Sequence, residues 1–236
     1  MLTKQRKIMD NARKPQLDII DLGRTDYREC WDLQKDYVRK RAEGNIPDTL
    51  LLTEHNPVIT LGRGTDRKNL LASDELLKQK GVDLYEIERG GDITFHGPGQ
   101  LVAYPVINLT LRGRDLHKYL RDLENVTIKT LNSLGLKASI KHALTGVWIE
   151  DSKVAAIGVG VSRWITYHGL ALNVNTDLNY FQLINPCGIT EYPVSSIASI
   201  TNTEADFENI KGIFITNFAD YFGYSIKDEI HHREQT

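Results

Sequence analysis

Long apolar runs are missing from this chain of 236 residues, and neither sign of charge dominates it. The longest apolar runs fall far short of the roughly 20 residues that a helix needs to span a bilayer, so we predict no membrane segment. A formal net charge of −2 argues against a general nucleic-acid-binding protein. The 41% of hydrophobic residues is instead typical of a globular domain with a real core.

Cysteine is scarce as well. The chain has only Cys30 and Cys187, too few for a disulfide framework, which favours a reducing compartment such as the cytoplasm. Residues 1–15 are basic but lack the apolar centre of a secretory signal. We therefore expect a flexible basic extension over 1–15, one domain over 16–228 and a charged C-terminal tail over 229–236.

Several widespread motifs are also absent. There is no G-x-x-x-x-G-K-[ST] loop and no G-x-G-x-x-G that opens a helix, so neither an ATP site nor a dinucleotide site is indicated. No G-x-S-x-G elbow supports serine catalysis, and the histidines lack the H-E-x-x-H spacing of a zinc site. The residues alone therefore indicate no metal and no cofactor.

What the sequence does contain is a glycine-rich stretch, R-G-G-D-I-T-F-H-G-P-G-Q, over residues 89–100. It follows a strand-like segment, 82–88, and precedes another, 101–109. Glycines between two strands permit positive φ and a close approach of backbone to a ligand. A plain tight turn is the simpler alternative, but it has no use for both Arg89 and His96. We interpret the stretch as a loop that cradles a ligand.

The spacing of apolar residues predicts a mixed order of helices and strands. Helices are predicted over 27–42, 73–80, 115–134 and 207–222. Strands are predicted over 49–53, 58–61, 146–150, 154–164 and 170–175, with separating turns at 151–153 and 166–169. Short turns between strands imply antiparallel pairing, and no linker divides the chain. We expect a single α/β (α+β) domain with a mixed, largely antiparallel sheet flanked by helices.

Two side chains are candidates for covalent chemistry. Cys187 follows Asn185-Pro186 and precedes Gly188, a turn-forming context that favours an accessible thiol, whereas Cys30 lies inside the first predicted helix and is more typical of packing. Lys153 begins a strand. A lysine beside a turn is usually a solvated surface residue, but next to a thiol it would favour the thiolate or act as a base. The sequence does not show whether Lys153 and Cys187 meet in space.

Three segments together resemble one enzyme family. They are RGGDITFHGPGQLVAYPVINL, TGVWIEDSKVAAIGVGVSRWITYHGLALNVNTDL and INPCGI, which follow the order and spacing of the lipoyl(octanoyl) transferases, the octanoyl-[acyl-carrier-protein]–protein N-octanoyltransferases. The resemblance implies the fold of the catalytic domains of biotin and lipoate protein ligases. It also implies an acyltransferase that needs no cofactor and that would occupy the domain predicted over 16–228.

The same resemblance implies the substrates. An octanoyl group would pass from octanoyl-acyl carrier protein, through a thioester on Cys187, to a lysine of a lipoyl domain. The acceptors would be lipoyl domains of 2-oxoacid dehydrogenase complexes and the H protein of glycine cleavage. No nucleic-acid or membrane partner is implied.

Particular residues match the family's functional positions. Cys187 matches the acyl-accepting cysteine, and Lys153 matches the catalytic lysine. The substrate-binding positions that match are Arg89, Gly90, Gly91, Asp92, Ile93, Thr94, Phe95, His96, Ala156, Ile157, Gly158, Gly169, Leu170 and Ala171. One departure is Gly160, where the family pattern has a longer, often basic, side chain.

Two other functions remain open on the residues. An ATP-dependent lipoate or biotin protein ligase would share the fold, but it activates a free acid as an adenylate and needs no cysteine nucleophile. A non-catalytic acyl-binding or protein-binding module is the second alternative, and the presence of both Lys153 and Cys187 speaks against it. Dependence on ATP with free octanoate separates the ligase from the transferase.

Overall fold

The computed structural model describes residues 14–188, 191–226 and 231–232. Most of the basic extension predicted over 1–15, namely 1–13, lies outside the described residues, as does most of the tail predicted over 229–236. Within the described part of the chain, no helix is long and apolar enough to cross a membrane.

The helices begin where short polar side chains can cap them. They are α1 Tyr27–Ala42, α2 Asp74–Gln79, α3 Leu116–Ser133, α4 Ile197–Thr201 and α5 Phe207–Phe222. In each of α2 to α5, a backbone N–H of the first turn donates to a side-chain oxygen of the residue just before the helix. These capping residues are Ser73, Asp115, Ser196 and Asp206 respectively. The four predicted helices are confirmed, and α4 is an addition.

The strands belong to two sheets. In chain order they are β1 Gln16–Thr25, β2 Asp48–His55, β3 Val58–Leu61, β4 Asp83–Glu86, β5 Ile93–His96, β6 Gln100–Val106, β7 Ala138–Ser139, β8 Val147–Ile149, β9 Ser152–Ser162, β10 Ile165–Asn173, β11 Ser225–Ile226 and β12 His231–His232. Among the described residues the large sheet has the order β11-β1-β2-β6-β10-β9-β8-β7, with β12 also paired to β1, and the small sheet has the order β4-β3-β5.

Antiparallel pairing dominates the large sheet, as predicted. All pairs from β2 through β6, β10, β9 and β8 to β7 are antiparallel. The parallel pairs all involve β1, which lies beside β2, β11 and β12. The prediction of one α/β domain with a mixed sheet flanked by helices is therefore confirmed.

Side chains alternate between the two faces of the large sheet and form a core on each. On one face, Leu52, Leu101 and Leu172 pack in the cluster that includes apolar residues of α3 and α5. On the other face, Leu51 and Val102 pack in a smaller cluster that includes Cys30 of α1. Cys30 is 1% exposed, in agreement with the predicted packing role. We refer to the second face as the α1 face.

One predicted turn is wrong. Residues 166–169 lie inside β10, and the turn between β9 and β10 consists of Arg163 and Trp164, with φ of 49° and 65°. Positive φ at both central residues is the geometry of a type I′ hairpin turn, whose twist matches that of the flanking strands. Neither residue is a usual choice for positive φ, so the local sequence did not mark the turn.

Candidate active site

Small residues face each other across β9 and β10. Ala156 is paired with Ala171, and Gly158 with Gly169. Residues two apart on a strand share a face, so these four positions form a patch almost without side-chain volume. The patch is the floor of a cavity that, with its open mouth, measures about 450 Å³.

The walls of this first cavity come from the glycine-rich loop and from aromatic side chains. Its lining consists of Tyr27, Arg89, Gly91, Asp92, Thr94, His96, Tyr104, Ala156, Ile157, Gly158, His168, Gly169, Leu170 and Ala171. The mixture of apolar walls with a few polar groups is typical of a small-molecule site.

A second cavity, of about 290 Å³, adjoins the first and shares Thr94, Ala156 and Ala171 with it. Its lining consists of Thr94, Gln100, Lys153, Ala155, Ala156, Ala171, Asn173, Phe181, Pro186 and Val194. The lining therefore joins the predicted catalytic lysine to the segment Pro186–Gly188 that contains Cys187.

A β-bulge directs Lys153 into the second cavity. The register between β8 and β9 shifts so that Val147 pairs with Ala155 but Trp148 pairs with Lys153. Val154 and Ala155 both pack in the core behind the sheet, so Lys153 emerges on the α1 face with Ala156. Re-aiming a side chain is what such a bulge does. Lys153 is 6% exposed.

The backbone of Lys153 is tied to the chain that follows Cys187. Its N–H donates to the carbonyl oxygen of Pro193 at 2.8 Å, and its own carbonyl accepts from the N–H of Ser195 at 2.9 Å. These bonds form a parallel bridge between Lys153 and Val194.

The 3₁₀ turn Pro186–Gly188 is tied to the glycine-rich loop. The N–H of Asn185 donates to the carbonyl oxygen of Asn69 at 2.7 Å, and the side-chain amide of Asn69 donates to the Asp92 carboxylate at 2.6 Å. Gly188 has φ of 63°, and an added Cβ there would lie 3.1 Å from the Asn69 amide nitrogen and 3.2 Å from the Asp92 carboxylate. Glycine at 188 thus satisfies both the conformation and the close approach.

Arg89 holds the glycine-rich loop against the small sheet. One guanidinium nitrogen donates to the carbonyl oxygen of Thr60 at 2.8 Å and to its hydroxyl at 2.9 Å, and the other donates to the carbonyl oxygen of Gly90 at 3.1 Å. The same side chain lines the first cavity, where it is 7% exposed.

His168 enters the first cavity through an unusual backbone conformation. Its φ is 54°, and its N–H donates to the side-chain oxygen of the fully buried Gln34 at 2.8 Å. Left-handed φ is strained for a residue other than glycine and is worth attention near a cavity. Neither ring nitrogen of His168 has a hydrogen-bond partner among the described residues, although the residue is only 1% exposed.

Burial keeps three histidines of this region neutral. It lowers the pKa of His55 to about 4, and the pKa values of His96 and His168 to about 3. The neighbouring His55 lowers the pKa of His96 further, and Arg89 does so for His168. Neutral His96 and His168 therefore line the first cavity together with the ionisable side chains of Arg89 and Asp92.

Hydrogen bonds assign two of the tautomers. The Gln100 amide nitrogen donates to Phe95 and Asn173, so its oxygen accepts from Nδ1–H of His96 at 2.7 Å. Nδ1–H of His55 donates to the Thr25 carbonyl, which leaves Nε2 to accept from the Tyr104 hydroxyl at 2.8 Å. Within the described residues, no group of three or more His, Cys, Asp or Glu side chains could hold a metal ion.

A model of the lipoyl protein ligase A/B catalytic domain matches residues 26–219. The chain belongs to this family. The octanoyltransferase of Rubrobacter xylanophilus is 49% identical over 214 residues, which cover 89% of this chain and 96% of that protein. The octanoyltransferase of Solibacter usitatus is 46% identical over 205 residues, which cover 87% and 92%. This member of the family is a transferase enzyme.

The fold is also that of the family. The bi-partite lipoate protein ligase of Thermoplasma acidophilum, from a study of an archaeal lipoylation system that includes its E2 lipoyl domain, superposes with a TM-score of 0.72 at 17% identity. The match covers 93% of this chain and 88% of that one. The predicted likeness to lipoate ligase catalytic domains is confirmed.

Most of the substrate-binding positions predicted from the sequence line the two cavities, but three of them do not. Ile93 and Phe95 pack on the other side of β5, in the cluster that includes Leu183, and the Phe95 ring stacks on Tyr180 at 4.7 Å. Gly90 donates its N–H to the carbonyl oxygen of Val159. Their contribution is to hold β5 and the loop in place.

Sequence reasoning missed several lining residues. Tyr27 and Tyr104 close the first cavity, while Gln100 and Asn173 lie in the second. Tyr27 begins a helix and Tyr104 lies in a strand, so each is typical of packing when only the sequence is considered. Gln100 ends the glycine-rich stretch, and this was the one available signal.

Proposed function

We propose that this enzyme transfers an octanoyl group from octanoyl-acyl carrier protein to a lysine of a lipoyl domain, through a thioester on Cys187. The observation that carries the proposal is the continuity of the two cavities. One has a floor of small residues and neutral histidines in its wall, and the other joins Lys153 to the turn that contains Cys187.

The first half-reaction would place the octanoyl chain over Gly158 and Gly169. The Cys187 thiolate attacks the carbonyl carbon of the donor thioester, a new carbon–sulfur bond forms, and the carrier's thiol leaves with a proton. One thioester replaces another of similar energy, so no ATP is needed. A free cysteine is mostly protonated at neutral pH, and Lys153 would stabilise the thiolate or accept its proton.

The second half-reaction would regenerate the enzyme. The lysine amine of the acceptor attacks the Cys187 thioester, an amide bond forms, and the thiol of Cys187 is restored. Lys153 could remove a proton from the incoming amine directly or through a water. Lipoyl domains of 2-oxoacid dehydrogenases and the glycine cleavage H protein are the proposed acceptors, in keeping with the lipoyl domain studied alongside the Thermoplasma ligase.

An intact-mass measurement tests this function. The purified protein is incubated with octanoyl-acyl carrier protein in the absence of ATP, and the modified residue is mapped by peptide sequencing. We expect one octanoyl group on Cys187, lost again when a lipoyl domain is added, and no adduct on a Cys187→Ala variant. Labelling of the acceptor only with ATP and free octanoate would assign the enzyme to the ligases instead.

A further inference from the structure

A fully buried carboxylate lies behind the lysine site. Glu124 of α3 is 0% exposed, and it has no part in the proposed chemistry. One of its oxygens accepts from the Arg121 guanidinium at 2.6 Å, and the other accepts from the backbone N–H of Gly146 at 3.0 Å. Burying a carboxylate is costly, so its retention calls for a local purpose.

The residue that Glu124 holds lies directly against the lysine. Gly146 has φ of 141°, and a Cβ added to it would lie 2.6 Å from Cε of Lys153 and 2.7 Å from the carbonyl oxygen of Ala155. The Gly146 backbone therefore forms a wall beside the last carbon of the lysine side chain.

The second wall is an indole ring two residues further on. Trp148 is 0% exposed, and Nζ of Lys153 lies 5.2 Å from its ring centroid. The same ring edge would be 3.2 Å from a Cβ at Gly146, so the backbone and the ring flank one side chain. A cation over an indole face is attracted to it.

We propose that Glu124 is a positioning residue for Lys153, acting through Gly146 and, beyond it, Trp148. A lysine side chain has many rotamers, and its ammonium can assist a thiol only while the chain is confined. By accepting the Gly146 N–H, Glu124 holds the Gly146 backbone in place and thereby confines the Lys153 side chain. This inference rests on the proposed role of Lys153 in acyl transfer.

Three substitutions test the inference. Glu124→Leu removes the acceptor for Gly146 while filling the space, and we expect kcat to fall about 10- to 100-fold with little change in KM for the donor. Glu124→Gln keeps an acceptor oxygen and should restore most of the activity. Lys129→Ala removes an exposed ion-pair partner on the same helix, α3, and serves as the control, with kcat close to that of the parent.

A double-mutant cycle separates positioning from general loss of structure. In a Cys30→Ala background, the rate of Cys187 alkylation by iodoacetamide is measured against pH for the parent, Glu124→Leu, Lys153→Ala and the double variant. We expect Glu124→Leu to move the profile to higher pH when Lys153 is present and to have no further effect when it is absent.

The outcomes are distinct. Equal shifts in both backgrounds, or a parent-like profile and kcat in Glu124→Leu, would overturn the positioning role. A profile that Lys153→Ala leaves unchanged would instead remove Lys153 from the proposed mechanism, whatever Glu124 does.

Discussion

Ala156 and Ala171 meet across β9 and β10 with one methyl group each, and both line the two cavities. The neighbouring pair, Gly158 and Gly169, contributes no side-chain atoms. The room for an acyl chain thus depends on missing atoms at four positions of two paired strands. Added volume at Ala156 or Ala171 enters the space proposed for the substrate, whereas a Cβ at Gly169 would lie 2.2 Å from the carbonyl oxygen of Ala103 in β6.

Ala156→Val is expected to shorten the acceptable acyl chain. Its two extra methyl groups project over the floor, and overpacking of this kind should lower the transfer rate from an octanoyl donor by roughly ten-fold. A butanoyl donor should lose much less. Rates with both donors are to be compared at saturating acceptor.

Ile157→Leu is the matched control, since Ile157 lines the first cavity and the exchange conserves volume. Equal losses with the two donors in Ala156→Val would mean that the substitution disturbs the reaction itself and not the space for the chain.

At the scale of elements, the β9–β10 hairpin carries local strain. Arg163 and Trp164 both have positive φ, and Trp164 is 38% exposed. Asn-Gly is the pair that this turn type prefers. The hairpin therefore holds its register through strand pairing, despite its turn residues.

Replacing Arg163-Trp164 by Asn-Gly should raise the free energy of unfolding by about 1 kcal/mol, because each strained residue is relieved. Urea denaturation of the two proteins at neutral pH measures the change. The control variant carries Asn-Gly in place of Lys141-His142. Neither of these residues has positive φ, so we expect no gain in the free energy of unfolding there. A lower stability of the hairpin variant would show that the Trp164 side chain contributes more than the strain removes.

Periodicity predicts the elements whose apolar stripes are regular. The helical spacing of apolar residues predicts α3 and α5, and the continuous run of leucines at 50–52 predicts β2. The turn predicted over 166–169 is wrong because Gly169, a residue type common in turns, lies here inside a strand. The left-handed φ at His168 depends on Gln34 in α1, a contact across 134 positions that no local pattern contains.

The candidate site was predicted in part for the same reason. Lys153 and Cys187 match the family by resemblance, but the orientation of Lys153 towards the second cavity depends on the bulge at Val154 and on backbone bonds to Pro193 and Ser195. A bulge adds one residue to a strand without any change in composition. Such features depend on which strands pair in the folded protein, so the local sequence does not predict them.

At the scale of the whole molecule, buried neutral histidines couple stability to pH. An unfolded histidine has a pKa near 6.5, whereas the folded pKa of His55 is about 4. Below pH 6.5 the unfolded chain therefore binds protons that the folded chain does not. The free energy of unfolding therefore falls as the pH is lowered from about 6.5 towards the folded pKa of His55, about 4.

His55→Gln should reduce this acid sensitivity. Between pH 7 and pH 5, we expect the variant to lose roughly 2 kcal/mol less stability than the parent, the share of one histidine over about 1.5 pH units. Denaturant midpoints at several pH values measure it. His117→Gln on the exposed face of α3 is the control and should follow the parent. Parallel curves for all three proteins would mean that His55 gains its proton equally in both states.

The edge formed by β1, β11 and β12 has a practical consequence. Gln16 pairs with Ser225 there, while β9 and β10 lie further across the sheet, beyond β2 and β6. At about 4.8 Å between neighbouring strands, β9 is roughly 19 Å from β1. A reporter domain or surface linker fused outside residues 16–232 would thus be anchored at the edge away from the cavities. Immobilised enzyme tethered from that edge would leave its cavities open to the protein substrates proposed above.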